Sequence, residues 1–277
     1  MLGVRDQVIA STLPVNSNQV IYVYSDHGVS ATSLIHTRHM LKSLAPSYRI
    51  ELIDAQGIVH KDWPQDAALF IMPGGADVPY TQQLSGEGNT IIQHYVENGG
   101  SYLGICAGAY YSAGFVEFDK NGPLEVVEER ALKFFPGKAI GPILAPYDDA
   151  TNQGARVASL RINWQSPIKQ AIPSILPVYY NGGGYFETTD AHENVRIVAS
   201  YQLESNDLLP AILKIQYQQG TVILSGVHFE YSAHLLKKDQ YHEPLIPLLK
   251  SSENDRRLFA RTLLASLGVN TAAESSC

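Results

Sequence analysis

The sequence predicts an α/β fold: a mostly parallel central sheet with helices on both faces, extended by antiparallel strands from the middle of the chain. Short, wholly apolar runs of the kind that buried parallel strands require recur early, at Val20–Tyr24, Ala67–Met72 and Tyr102–Ile105. Amphipathic stretches separate them, and a strand, helix, strand order at this spacing is the crossover unit of parallel sheets. From Gly114 to about Gly184 the pattern changes to alternating runs broken by Pro and Gly, which suits antiparallel pairs on long connections.

Residues 1–18 form a polar lead-in without a clear period. Val20–Tyr24, β-branched and aromatic, is a first strand closed by the Ser25-Asp-His-Gly28 turn. Ser30 caps a helix that carries Leu34, Ile35, Thr37, Arg38, Met40, Leu41 and Leu44 at amphipathic spacing until Pro46 ends it. Tyr48–Ile53 is a second strand, and Ala67–Met72 a third that stops in Pro73-Gly-Gly75. A helix over about residues 87–97 follows, broken by Asn98-Gly-Gly100, and then comes the strand that ends at Cys106. Arg156–Ile162, Val178–Tyr180, Arg196–Tyr201 and Ala211–Gln216 alternate as strands on the far side of the sheet. Thr221–Val227 is the last strong strand and runs directly into His228-Phe-Glu230; Arg257–Leu267 is a closing helix, and Asn270–Cys277 a loose tail. No repeat or dense linker divides the chain, so a single domain with its core at about 20–268 is expected.

With 45% hydrophobic and 17% charged residues, the 277-residue chain has the composition of an ordinary globule. A formal charge of −7 and the lack of a basic block argue against nucleic acid as a partner. No run approaches the roughly twenty apolar residues of a membrane span, and the N-terminus lacks a basic region followed by an apolar one. The two cysteines, one in an apolar turn and one ending a polar tail, do not make a disulfide framework. A cytoplasmic location without a membrane partner is the expectation, signal-less export apart.

The chemistry gathers at strand ends. Tyr102-Leu-Gly-Ile-Cys-Ala-Gly-Ala-Tyr-Tyr111 joins a strand to a small-residue helix through a Gly-x-Cys-x-Gly turn. Such an elbow lifts Cys106 out of the fold and aims the first helical N–H groups at whatever bonds to its sulfur, a field that favours thiolate. The plain alternative is an inert packing cysteine. In His228-Phe-Glu230, residues two apart on an extended chain face the same way, so Glu230 can hold the His228 imidazole in one tautomer. If the other nitrogen meets Cys106, the set is a nucleophile, a base and an orienting carboxylate; otherwise the pair is a solvated turn. Glycines in Pro73-Gly-Gly-Ala-Asp77 let backbone N–H groups approach a substrate, and one of these with the N–H of Ala107 would make an oxyanion hole. His228, Glu230, His234 and His242 cluster in sequence, but not at a zinc spacing. Neither a metal nor another cofactor is expected.

These motifs carry a resemblance. Gly104-Ile-Cys-Ala-Gly108, Pro73-Gly-Gly75 and His228-x-Glu230 occur in the chain order of class I glutamine amidotransferase-like proteins. Met72-Pro-Gly-Gly-Ala-Asp-Val-Pro-Tyr80, the block from Gly99 to Tyr111, Phe134-Phe-Pro-Gly137 and Tyr180-Asn-Gly-Gly-Gly184 are similar to the domain at the N-terminus of eukaryotic biotin–protein ligases, which also occurs as free-standing bacterial proteins. The similarity runs from about Ile21 to Leu267. It implies a flavodoxin-like sheet, a Cys106–His228–Glu230 triad, and Gly75 and Ala107 as oxyanion donors. It does not imply biotinylation, because nothing here matches the Gly/Arg-rich adenylate loop of the ligase catalytic domain. Amidotransferases usually carry proline between the His and Glu, where this chain has Phe229, which weakens glutamine as the expected substrate.

The expected function is a cysteine-dependent amidase, hydrolase or amidotransferase-like enzyme working through a thioester. The competing class is a non-catalytic binding or regulatory module on the same fold. Expected partners are a small-molecule or peptide amide and, if ammonia is passed on, a separate synthetase or ligase. Candidate substrate contacts are Gly74, Asp77, Tyr80, Tyr110, and Asn181, Gly182 and Gly183 of the glycine loop. Each has a plain structural alternative: Asp77 a helix cap, Tyr110 helix packing, the glycines a turn.

Overall fold

A computed structural model describes residues 19–148, 150–164, 171–189 and 193–272. The lead-in expected at 1–18 lies outside the described residues. The apolar runs become strands where the sequence places them. β1 (Val20–Tyr24) is buried along its whole length. The Ser30 hydroxyl accepts the Ser33 N–H and starts α1 (Ala31–Leu44). Much of the expected face turns inward, Thr37, Met40, Leu41 and Leu44 among it, but the buried stripe also takes in polar residues. Ser33, His36 and Thr37 are buried beside Met40, Leu41 and Leu44, while Ile35 is 58% exposed. Tertiary partners account for this: the Ser33 hydroxyl accepts the Gly74 N–H at 2.9 Å, and His36 Nδ1 accepts the Ser232 N–H at 3.0 Å.

β2 (Arg49–Ile53) leads into α2 (Ala55–His60), a helix of six residues capped by Asp54 and too short to register as periodicity. β3 (Ala67–Met72) ends in the glycine turn, and α3 (Asp77–Leu84) starts immediately after it. α4 (Glu87–Glu97), β4 (Ser101–Ile105) and α5 (Ala107–Tyr111) complete the first half. The chain then makes β5 (Ala113–Phe118), β6 (Val126–Glu129), β7 (Phe135–Gly141), β8 (Arg156–Ile162), β9 (Ile175–Tyr180) and β10 (Tyr185–Glu187). β11 (Val195–Gln202), β12 (Leu208–Tyr217) and β13 (Gly220–Ser225) follow, and α6 (Ile246–Ser251) and α7 (Glu253–Ser266) close the fold. The start of the expected loose tail is tied down: Asn270 N–H donates to the Tyr48 hydroxyl at 3.0 Å and Ala272 N–H to Leu44 O at 2.9 Å.

The main sheet has nine strands in the order β2-β1-β3-β4-β13-β12-β11-β8-β9. It is parallel from β2 to β13 and antiparallel from β13 to β9, so the parallel character is confined to one end. A second sheet of four strands, β10-β7-β5-β6, was not foreseen; it comes from the Pro- and Gly-rich middle of the chain. Alternation along β1 shows how the two faces are filled. Ile21 and Val23 pack with α1 and α7 through Leu41, Phe259 and Leu263, whereas Val20 and Tyr22 pack with Trp63, Phe70 and Tyr95 on the α4 side. Because β1, β3, β4 and β13 run the same way, their carboxyl ends share one edge, where ligands of open α/β sheets bind.

Candidate active site

Cys106 is the hinge between β4 and α5, at φ 51° and ψ −109°. A non-glycine residue in such a conformation costs on the order of 1–3 kcal/mol and persists only where its surroundings impose it. Here they do. Cys106 N–H donates to Ser225 O at 2.7 Å, tying the elbow to the end of β13. A Cβ on Gly104 would stand 2.6 Å from Gly108 O, and one on Gly108 would collide with Met72 O, so this approach of α5 to the strands requires both glycines. The thiol is 7% exposed, and its Sγ lies 3.8 Å from Asn181 O.

His228 and Glu230 come together by a route other than the expected one. β13 stops at Ser225, and His228 to Glu230 lie in a turn rather than on an extended strand, with Tyr231 N–H donating to His228 O. His228 N–H donates to Tyr179 O at 2.9 Å, which fixes the turn against β9. The side chains still meet, His228 Nδ1 to Glu230 Oε1 at 2.8 Å, with the Glu230 side chain fully buried. That leaves Nε2 as the imidazole nitrogen open to a nucleophile. Burial by itself would push the imidazole down. The Glu230 carboxylate and the Cys106 sulfur outweigh it and carry His228 up to about 10. Imidazole and sulfur flank Gly74, where an added Cβ would stand 2.7 Å from His228 Cε1 and 3.4 Å from Cys106 Cβ.

The glycine turn supplies donors. The bridge between Val29 and Gly75 is made by its neighbours, Ser30 N–H to Gly74 O and Ala76 N–H to Gly28 O, so the Gly75 N–H is not used by it. Ala107 is the first residue of α5, and its N–H has no intrahelical acceptor. Both residues line a cavity of about 490 Å³ that Cys106 and His228 also line. Gly74, Asp77, Tyr110, Asn181 and Gly182 border the same space.

A family model described as biotin-protein ligase, N terminal, matches residues 19–277. The chain belongs to that family. A biotin–protein ligase of Schizosaccharomyces pombe is 34% identical over 215 residues, 77% of this chain but 33% of the ligase, so the chain spans about a third of that relative's length. An uncharacterized protein of Chlamydia muridarum is 41% identical over 224 residues, 77% of this chain and 81% of its own. A solved ThuA-like protein from Parabacteroides merdae shares the fold at a TM-score of 0.50 and 11% identity, over 94% of this chain and 93% of that one.

In this biotin-protein ligase N-terminal family chain, Phe229 occupies the place of the usual proline by turning away from the cavity. It is buried and meets Phe259 of α7 edge to face, 6.3 Å between centroids, which anchors the turn from behind. Two residues expected at the substrate do not border the cavity. Tyr80 is fully buried, and its hydroxyl donates to Pro73 O and Gly74 O at 3.2 and 3.3 Å, bracing the glycine turn. Gly183 packs backbone to backbone against Gly226. Asp77 is not the cap of α3, a position held by Ala76; it binds the buried Arg130 guanidinium at 2.8 and 2.7 Å. Burial pushes the Asp77 carboxyl up against the opposing pull of Arg130.

Several bordering residues were invisible in the sequence: Ser33, Phe118, Leu124, Val126, Tyr147 and Tyr231. Only the polar residues on the inward face of α1 and the aromatics in the Pro- and Gly-rich middle hinted at them. His242, which clusters in sequence with His228, Glu230 and His234, has its Nε2 3.0 Å from the Tyr179 hydroxyl.

Proposed function

We propose that the chain is a cysteine-dependent amide hydrolase in which Cys106 is the nucleophile, His228 the base and acid, and Glu230 the carboxylate that orients the imidazole. The observation that carries this reading is the strained Cys106 elbow sharing one cavity with a His228 imidazole bonded at 2.8 Å to a fully buried Glu230 carboxylate. Sγ, its proton already on the His228 imidazole that the Glu230 carboxylate keeps charged, bonds to the amide carbon, and the oxyanion turns to the N–H groups of Gly75 and Ala107. Donors of this kind contribute about 3 kcal/mol each to a transition state. The C–N bond then breaks, His228 protonates the leaving nitrogen, and an acyl thioester remains. Water, giving a proton to His228, cleaves the thioester to a carboxylic acid and restores the thiol. If the nitrogen is handed on instead of released, a separate synthetase or ligase receives it.

The test is covalent labelling by an amide-mimicking electrophile, followed by intact mass. In a Cys277→Ser background the parent is expected to take one equivalent, and Cys106→Ala to take none while retaining its circular dichroism. Labelling of Cys106→Ala as fast as the parent would overturn the assignment.

A second reading, a recognition module without turnover, is favoured by one observation: Sγ lies 3.8 Å from Asn181 O, so the thiol has a carbonyl acceptor besides the imidazole. The relative's role as part of a biotin–protein ligase agrees with such a module. Equal rates of iodoacetamide alkylation at Cys106 in the parent and His228→Ala, both carrying Cys277→Ser, would select it.

A further inference from the structure

The walls of the cavity differ in chemistry, and the difference bears on the acyl group it accepts. This argument rests on the hydrolase reading above. His228, which must face the leaving nitrogen, packs against Tyr231 with 4.5 Å between centroids, and Tyr231 stacks on Tyr179 at 4.5 Å. The leaving group therefore goes to the Tyr231 side, and the acyl substituent to the remaining wall. Asp77, Asn181, Ser30 and Ser33 also border the cavity, but its largest side chains there are apolar and aromatic. Tyr110, Phe118 and Tyr147 meet edge to face in a row, at 5.6 and 5.7 Å, with Leu124 and Val126 beside them. Phe118, Leu124 and Val126 are half-buried, so part of each faces open space.

A glutamine would bring its α-carboxylate to this wall. Among the described residues bordering the cavity there is no lysine or arginine. Arg130 stands behind Asp77 with no exposed side-chain surface, held by Asp77 and Glu128. A carboxylate placed there would lose its hydration without gaining a cation, whereas an apolar ring would cover surface that is otherwise wet. We infer that the acyl group accepted by Cys106 is uncharged and carries an apolar, aromatic-sized substituent, and that free glutamine is not the substrate.

Two diazomethyl ketones test this on the whole chain. One is built on the glutamine skeleton. The other is hydrocinnamoyl diazomethyl ketone, which keeps the same two-methylene spacer but ends in phenyl. The hydrocinnamoyl probe is expected to alkylate Cys106 at least roughly tenfold faster, the scale on which apolar pockets discriminate, and Phe118→Ala to reduce that ratio several-fold. A glutamine-skeleton probe that reacts as fast or faster with the parent overturns the inference, whatever the variant does. An unchanged ratio in a folded Phe118→Ala variant also overturns it. Failure of the hydrolase reading is seen separately, as equal rates of iodoacetamide alkylation at Cys106 in the parent and His228→Ala, both carrying Cys277→Ser, and the acyl assignment then falls with it.

Discussion

The Glu230 carboxylate sets the charge of the residue beside the nucleophile, and this has consequences for both reactivity and stability. His228 keeps its proton to about pH 10 in the folded chain, against 6.5 for an unperturbed histidine. The folded state therefore binds more protons between these values. The resulting stabilisation is complete below about 6.5 and is lost as pH rises through about 10. Glu230→Gln removes the charge behind this shift. It is expected to flatten the alkaline decline in urea-unfolding stability and to slow Cys106 alkylation by roughly a hundredfold, at the low end of general-base effects. His36 has the opposite sign. Burial, and then the charges of His228, His39 and His242, lower it to about 3, so the unfolded chain binds the extra proton between about 3 and 6.5. Its contribution is present above 6.5 and is lost as pH falls through about 3. His36→Asn, which can keep the acceptor for Ser232 N–H, is expected to flatten the acid decline in the same titration and leave the alkaline one in place.

At the scale of elements, the site depends on how closely a turn and an elbow approach each other. The glycine turn after β3 is held from one side by the Ser33 hydroxyl of α1 and from the other by Tyr80 of α3. Its Gly74 leaves no room for a methyl group between imidazole and sulfur. Gly74→Ala is expected to leave the circular dichroism near that of the parent and to cut Cys106 alkylation at least roughly tenfold, because displacements of about 1 Å cost rate on that scale or more. Tyr80→Phe removes the hydroxyl that braces the turn but no part of the cavity wall. It should cost about 1 kcal/mol in urea unfolding, and a lowered limiting rate of Cys106 alkylation that high probe concentration does not restore would show that the defect lies in positioning.

For the whole molecule, β13 is the strand on which both halves of the main sheet depend. It pairs in parallel with β4 and antiparallel with β12, and its end receives the Cys106 N–H. Ile223 at its centre has no exposed surface. Ile223→Ala is expected to cost about 2–5 kcal/mol and to lower the unfolding midpoint followed by fluorescence and by circular dichroism together. Separate midpoints would mean that the parallel and antiparallel ends unfold independently. Among the described residues no helix is long and apolar enough to cross a membrane.

Sequence by itself determined the parallel strands, the elbow at Cys106 and the residues of the His228–Glu230 pair. Their signals are local: an apolar run, two glycines flanking a cysteine, a two-residue spacing. Only the tertiary structure decided the second sheet, since β7 pairs with both β5 and β10 across stretches of Pro and Gly that carry no period of their own. The inward polar face of α1 was likewise unreadable, because Ser33 and His36 are buried for partners some 41 and 196 residues away. The aromatic wall belongs with these. Tyr110, Phe118 and Tyr147 lie on separate segments, and a wall assembled from separate segments exists only once the chain has folded.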